Sequence, residues 1–325
     1  INWIKFLTLH GVIEGDSGAL YEGYVVSRVP ADGGGDAAAI QASLLAQYRC
    51  LLDTLEYHLM GNHLLENGFS LLFGGVYFDD ERFSRKAEKI LRAELVEQIL
   101  DDGGHFERSP MYHQIILSRV LDCINLLRNY RVKSCQYMKP LLEEKAARML
   151  GWLRQMTFRD GSIPLVNDAA YGIAPASEEL FNYAARLGIR SSGVAPLRES
   201  GYRKISNDSY EAILDVGDIG PDYIPGHAHS DTFNFVLHVS GKPLIVDTGT
   251  STYENNSVRH WQRSTKAHNT VQIGEVDQSE VWGSFRVARR AYVKDLEEGE
   301  NSIIATHTGY ARIGASHRRR FEFND

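Results

Sequence analysis

A single change of period constrains this chain most. From residue 37 to about residue 187 the apolar side chains recur every three or four positions, the spacing of helix faces. Ile40, Leu44, Tyr48, Leu52, Leu55 and Leu59 form one stripe. Ile116, Val120, Ile124 and Leu127 form a second, and Leu142, Ala146, Met149, Leu153 and Met156 a third. Ser109-Pro110 opens the second stripe as a cap residue followed by proline in the first turn. Breaks are expected at Gly61-Asn62, Gly74-Gly75, Asp102-Gly103-Gly104 and Asp160-Gly161. The reading is roughly six or seven helices joined by short loops, and therefore antiparallel hairpins. No repeat of fixed period marks a regular solenoid, and an α/α toroid stays open.

After Gly201 the period becomes two. Phe233, Phe235, Leu237 and Val239 alternate with Thr232, Asn234, Val236 and His238, and residues 244–246, 270–273, 287–293 and 302–305 read as further strands. With no helix expected between most of them, the sheet is antiparallel. Residues 188–200, rich in Gly, Ser, Arg and Pro, are the expected linker. The fold class is α+β and multidomain, with a helical domain over 1–190 and an antiparallel sheet domain over 200–325. Their junction is the default place to expect a ligand.

Composition narrows the function classes. With 42 acidic against 35 basic side chains the net charge is -7, which weighs against a partner such as duplex nucleic acid. No run of about 18 apolar residues exists, so no membrane span is expected. Cys50, Cys123 and Cys135 form neither an even framework nor a metal spacing, and read as buried free thiols on helices. Residues 1–9 are apolar without an initiator Met, and residues 321–325 read as part of a strand. Both ends are expected to be cut, so the lack of a signal peptide carries nothing about location.

The densest polar constellation runs from Pro225 to Asn269. It holds Gly226-His227-Ala228-His229-Ser230-Asp231, then Asp247 closing an apolar strand, then Lys266-Ala267-His268-Asn269. In extended chain an HxH pair points both rings to one side. A carboxylate and a third histidine on neighbouring strands would complete a His2Asp set suited to zinc; the alternative is loop capping and backbone bonding. In the helical half, Asn62 and Glu66 sit four apart on one helix face, or Asn62 is simply an N-cap. Tyr112 and His113 open another helix, where Tyr112 could equally be core, and Asn167-Asp168 ends a loop. Arg259, Arg263, Arg286, Arg289 and Arg290 form either a solvated strand face or a guanidinium cluster for carboxylate and sulfate groups.

Several ordered motifs coincide: Asn62-His63-Leu-Leu-Glu66-Asn67-Gly, Gly104-His-Phe-Glu-Arg-Ser-Pro-Met-Tyr112-His113, Asp160-Gly-Ser-Ile-Pro and Gly226-His227-Ala-His229-Ser-Asp231. Lys242-Pro-Leu-Ile-Val-Asp247-Thr-Gly-Thr-Ser-Thr-Tyr253 and Arg263-Ser-Thr-Lys-Ala-His268-Asn269-Thr-Val complete the series. Together, from about residue 40 to 290, they resemble the heparinase II/III family of polysaccharide lyases, which includes oligoalginate lyases. The resemblance implies an incomplete α/α toroid followed by an antiparallel β-sandwich. It also implies β-elimination on an acidic polysaccharide: the C5 proton of a uronic acid is removed, the 4-linked oxygen leaves, and an unsaturated sugar remains.

By that resemblance Asn62, helped by His63 or an arginine, neutralises the uronate carboxylate. Tyr112 serves as acid, and as base for one C5 stereochemistry; His227 or His63 is the base for the other. A tyrosine base needs a lowered pKa, which nearby cations are expected to supply. His229, Asp247 and His268 match zinc ligands, the zinc being structural, and no organic cofactor is implied. Glu66, His113, Asn167, Tyr253, Arg259 and Arg263 are the expected substrate-binding residues. Location in the periplasm or outside a bacterial cell is a further expectation. The competing classes are a zinc-dependent hydrolase and a non-catalytic binder of acidic polysaccharide. A glycoside hydrolase would need two opposed carboxylates, and Glu66, Asp168 and Asp231 offer no compelling pair.

Overall fold

A computed structural model of the chain describes residues 35–130, 135–193 and 195–324. The apolar stretch over residues 1–9 lies outside them. Among the described residues six α-helices precede the first strand: α1 (Gly35–Asp53), α2 (Gly61–Phe78), α3 (Glu81–Gln98), α4 (Pro110–Asn129), α5 (Lys139–Met156) and α6 (Ser177–Arg186). The first stripe stops early, because Leu55 and Leu59 lie beyond α1. Met60 and Gly61, both left-handed at φ 57 and 53, turn the chain into α2.

Gly74-Gly75 does not break the helical half but sits within α2. A Cβ on Gly74 would meet the Tyr48 ring at 2.4 Å, and one on Gly75 would meet Ser84 Oγ at 2.3 Å. These glycines let α1 and the start of α3 approach the α2 backbone, which offsets their low helix propensity. The second stripe is core as expected: Ile116, Val120 and Ile124 are fully buried on α4. Each contributes about 1.5–3 kcal/mol of apolar burial. Cys123 and Cys135 are buried, but Cys50 is exposed on α1, contrary to expectation.

The sheets are antiparallel throughout the described residues. β1 (Tyr202–Ser206), β2 (Tyr210–Asp215), β3 (Phe235–Val239) and β4 (Lys242–Ile245) pair in that order. β5 (Glu280–Trp282) and β6 (Arg286–Ala288) form a hairpin, and β7 (Val293–Glu298), β8 (Ser302–His307) and β9 (His317–Glu322) a three-stranded sheet. Residues 270–273 are not a strand; only Ile273 makes an isolated bridge, to Val276. A short helix that periodicity does not announce, α7 (Ser257–Arg263), lies between β4 and β5, with Asn256 capping Arg259 N.

Alternation in β2 feeds two cores. Ala212 and Leu214 join Phe233, Ile303 and Ala305, so the first and third sheets share one cluster. Ile213 joins Trp152 and Met156 of α5, with Tyr202 and Val236. By contacts the molecule divides into two compact units. Among the described residues, one holds those up to Glu97 with those in Ile116–Ala146 and Tyr183–Ile189; the other holds Gln98–Ile115, Ala147–Asn182 and those from Arg190 onward. Every strand belongs to the second unit, and α4 and α5 each contribute to both.

His307 and His317 face each other across β8 and β9 and share a hydrogen bond of 2.9 Å. Burial pushes both imidazoles down to about 4. Their folded values lie below the ordinary histidine value near 6.5, so the unfolded chain binds protons first. Their contribution to stability is therefore complete above about pH 6.5 and is lost as pH falls towards about 4. Thermal melts of the wild type across this window should fall more steeply than those of the His307→Asn/His317→Asn double variant.

Candidate active site

The candidate centre is built where the loop ending at Asp168 is laced to the His227–His229 segment. Asn167 takes a left-handed backbone at φ 56, which asparagine tolerates. Its amide donates to Arg108 O and to Tyr202 Oη, both at 3.1 Å, while its oxygen accepts from His229 N at 3.0 Å. Asp168 N donates to His227 O at 3.1 Å.

The segment after β4 closes on the same loop. Thr250 N donates to Ala169 O at 3.0 Å, and Gly249 sits at φ 57 where a Cβ would lie 2.2 Å from Ala169 O. Both the backbone angle and the clash require glycine. Gly249→Ala is therefore expected to cost about 1–3 kcal/mol, read as a lower denaturant midpoint with unchanged slope.

Asp168 is fully buried and sits at the centre of the cluster. Its Oδ2 accepts from His227 Nδ1 at 2.8 Å and from the Arg259 guanidinium at 2.7 Å. Its Oδ1 accepts from His229 Nε2 at 2.9 Å and from the second Arg259 terminal nitrogen. Burial alone would raise its pKa, but the bonds from His227, His229 and Arg259 outweigh it and hold the carboxyl well below the usual range. For His227, burial acts downward, yet the carboxylates of Glu107 and Asp168 raise the pKa overall. Its Nε2 lies 3.8 Å from Glu107 Oε2, beyond hydrogen-bond reach.

Tyr112 stands against this imidazole. Ser109 Oγ accepts from Tyr112 N at 3.3 Å and donates to Asp168 O at 2.6 Å, fixing the start of α4 to the loop. The Tyr112 and His227 rings lie 4.0 Å apart between centroids, and Tyr112 Oη is 3.0 Å from Tyr253 Oη. Phe285, at the tip of the β5–β6 hairpin, completes an aromatic rim 6.0 Å from His227 and 5.5 Å from Tyr253. Burial, then the neighbouring Tyr253, Asp168 and Glu107, push the Tyr112 phenol upward, opposite to the lowering expected from cations. The cations are present but are spent on Asp168 and on backbone carbonyls.

Four of the expected substrate contacts are engaged by partners within the protein. Arg259 is fully buried, and beyond Asp168 it donates to Ser284 O and Thr250 Oγ1. Arg263 is 1% exposed and donates to Ala228 O, Gly283 O and Arg286 O. His113 is buried against Trp152 and engages Met149 O, and Asn167 is committed as described. Tyr253, 39% exposed, keeps a surface for a ligand. Asn62, His63 and Glu66 belong to the first unit. Asn62 is the second residue of α2, whose N-cap is Met60, so it is not the cap. His63 is exposed and pairs with Glu56 at 3.5 Å, and Glu66 binds Arg119 at 2.9 Å. Two members escaped sequence reading: Asp168 as the hub and Phe285. The signal for the first was its place in the Asn167-Asp168 loop; for the second there was none.

His229, Asp247 and His268 are all buried, and the two rings lie 5.2 Å apart. His229 gives Nε2 to Asp168, leaving Nδ1 without a partner; His268 gives Nδ1 to Asp247 at 2.9 Å, leaving Nε2 without one. Two orphaned imidazole nitrogens beside a carboxylate fit zinc in kind. Among the described residues, however, no three such side chains are gathered around one ion position. Asp247 is committed to His268, Asn234 and Gly249 N. Burial lowers the His268 pKa, but Asp247 and Asp231 outweigh it and raise the value to about 9.

A helical half, antiparallel sheets and this tyrosine–histidine–aspartate cluster define a class that family comparison identifies. Residues 41–187 match the model described as heparinase II/III N-terminus, and residues 189–325 match heparinase II/III-like, C-terminal. The chain belongs to the heparinase II/III family. It is 24% identical over 320 residues to a heparin-sulfate lyase of Pedobacter heparinus, covering 88% of this chain and 46% of that one. To a heparin-sulfate lyase of Bacteroides stercoris it is 25% identical over 254 residues, covering 69% and 37%. The chain thus spans less than half the length of these curated relatives. Among solved structures, heparinase III aligns with TM-score 0.65 at 18% identity, over 87% of this chain and 48% of that one. A heparan sulfate lyase mutant from Pedobacter heparinus aligns with TM-score 0.62 at 20% identity, over 90% and 48%. These likenesses establish a fold of mixed helices and antiparallel sheets.

Proposed function

We propose that the protein is a polysaccharide lyase acting by β-elimination on a uronic-acid-containing polysaccharide. The observation that carries this reading is the close Tyr112–His227 ring contact backed by the buried Asp168 carboxylate. In the proposed reaction His227 Nε2 takes the C5 proton and the electron pair forms the C4=C5 bond. The C4–O bond breaks, and the departing oxygen takes the Tyr112 phenolic proton. A phenol pushed upward by burial suits a proton donor, and an imidazole raised by carboxylates suits the base. Asn62 is assigned to the substrate carboxylate, with His63 beside it; that assignment rests on the motif resemblance.

The finer architecture is part of the same proposal. The hairpin helices are read as part of an α/α toroid, and the first and third sheets, which share a core, as the faces of a β-sandwich. Zinc, if held, would be bound by His229, Asp247 and His268, and it would brace the segments behind His227. Zinc in stoichiometric amount by elemental analysis, lost in His268→Ala, is the expected result. Periplasmic or extracellular location follows from the family resemblance alone. The relatives named heparin-sulfate lyase support a sulfated or uronate-rich polymer as substrate. The test is a panel of heparan sulfate, hyaluronan, alginate and bacterial exopolysaccharide, followed in the ultraviolet band of the unsaturated uronate. Rising absorbance with at least one polymer is expected; no rise with any of them contradicts the reading.

A further inference from the structure

We propose that Asp168 is the positioning residue of this site, holding Nδ1–H of His227 so that Nε2 is the nitrogen that receives the C5 proton. The inference rests on the lyase reading for its reaction but not for its geometry. Four donors converge on the two oxygens of this one buried carboxylate: His227 Nδ1, His229 Nε2 and both terminal nitrogens of Arg259. A carboxylate so placed accepts and does not donate, so the His227 proton must sit on Nδ1 in the neutral ring. The other nitrogen faces Glu107 at 3.8 Å, too far to be claimed by it.

The same residue also fixes the partner group. Asp168 O accepts from Ser109 Oγ, which caps the helix carrying Tyr112, and Asp168 N bonds the His227 carbonyl. Acid and base are thereby registered on one residue that does not itself touch the substrate. Arg259 spans Asp168 and the Ser284 carbonyl, and so ties the hairpin bearing Phe285 to the same hub.

Asp168→Asn is the discriminating variant. Its amide would present N–H to one of the positions now served by an oxygen, which favours moving the His227 proton to Nε2 and blocks the reacting nitrogen. The expected result is a fall in kcat of about 100- to 10,000-fold with KM little changed. A structural role alone would instead lower the folded fraction or raise KM. Heteronuclear NMR of nitrogen-labelled wild-type protein gives a second readout that needs no variant to fold. The neutral His227 ring should carry its proton on Nδ1 and be unprotonated at Nε2. An Nε2–H tautomer in the wild type, or a folded Asp168→Asn protein with unchanged kcat, overturns the assignment. Should the wild type eliminate no uronate polymer, the lyase reading fails, and the tautomer measurement still decides the role of Asp168.

Discussion

Replacing Tyr112 with phenylalanine is expected to leave the fold intact and lower kcat by about two to four orders of magnitude. The ring remains to pack against His227, with centroids 4.0 Å apart, so packing is kept. Only the hydroxyl is lost, together with one hydrogen bond to Tyr253, at about 0.5–1.5 kcal/mol of stability. Without the phenolic proton the departing oxygen must leave as an alkoxide or take its proton from water. A single substitution thus separates chemistry from stability: initial rates on the cleaved polymer should collapse while the melting temperature moves by a few degrees at most. A Tyr112→Phe protein that retains wild-type turnover would remove this residue from the mechanism.

Arg259→Met should be the most damaging change to stability in the site, costing about 3–5 kcal/mol. The guanidinium is fully buried and is the cationic partner of Asp168, whose carboxylate is also fully buried. Its loss leaves that carboxylate with two imidazoles in place of a bidentate cation, and frees the Ser284 carbonyl at the hairpin tip. Arg259→Lys keeps the charge but not the fork, and should fall between wild type and Arg259→Met. Chemical denaturation of the three proteins checks the order. Equal midpoints would mean that the Asp168–Arg259 pair contributes nothing net to stability.

The large divisions of this molecule are legible in its sequence, because helix and strand periods are local properties. The switch near Gly201 and the cap at Ser109-Pro110 needed no tertiary information. Gly74-Gly75 misleads because the close approach of Tyr48 and Ser84, not backbone freedom, selects those glycines. α7 is hidden because its seven residues show too little of a period. The gathering of Tyr112, His227 and Tyr253 was legible as a set of motifs, but their environment was not. Asp168 meets Arg259 across 91 positions and His227 across 59, and no local pattern records such a pairing. For the same reason Arg259 and Arg263 read as free guanidinium groups, although the fold spends them on a carboxylate and on main-chain carbonyls.

Elimination and hydrolysis differ in the fate of oxygen. Cleavage of the active polymer in water enriched in heavy oxygen, with products weighed by mass spectrometry, separates the two ways of breaking a glycosidic bond. Elimination predicts that one fragment of each cut carries a C4=C5 double bond and is lighter by one water than its hydrolysis counterpart, and that cleavage itself adds no solvent oxygen to either fragment. Products that gain a heavy oxygen and show no ultraviolet band would rule out elimination and point to a hydrolase.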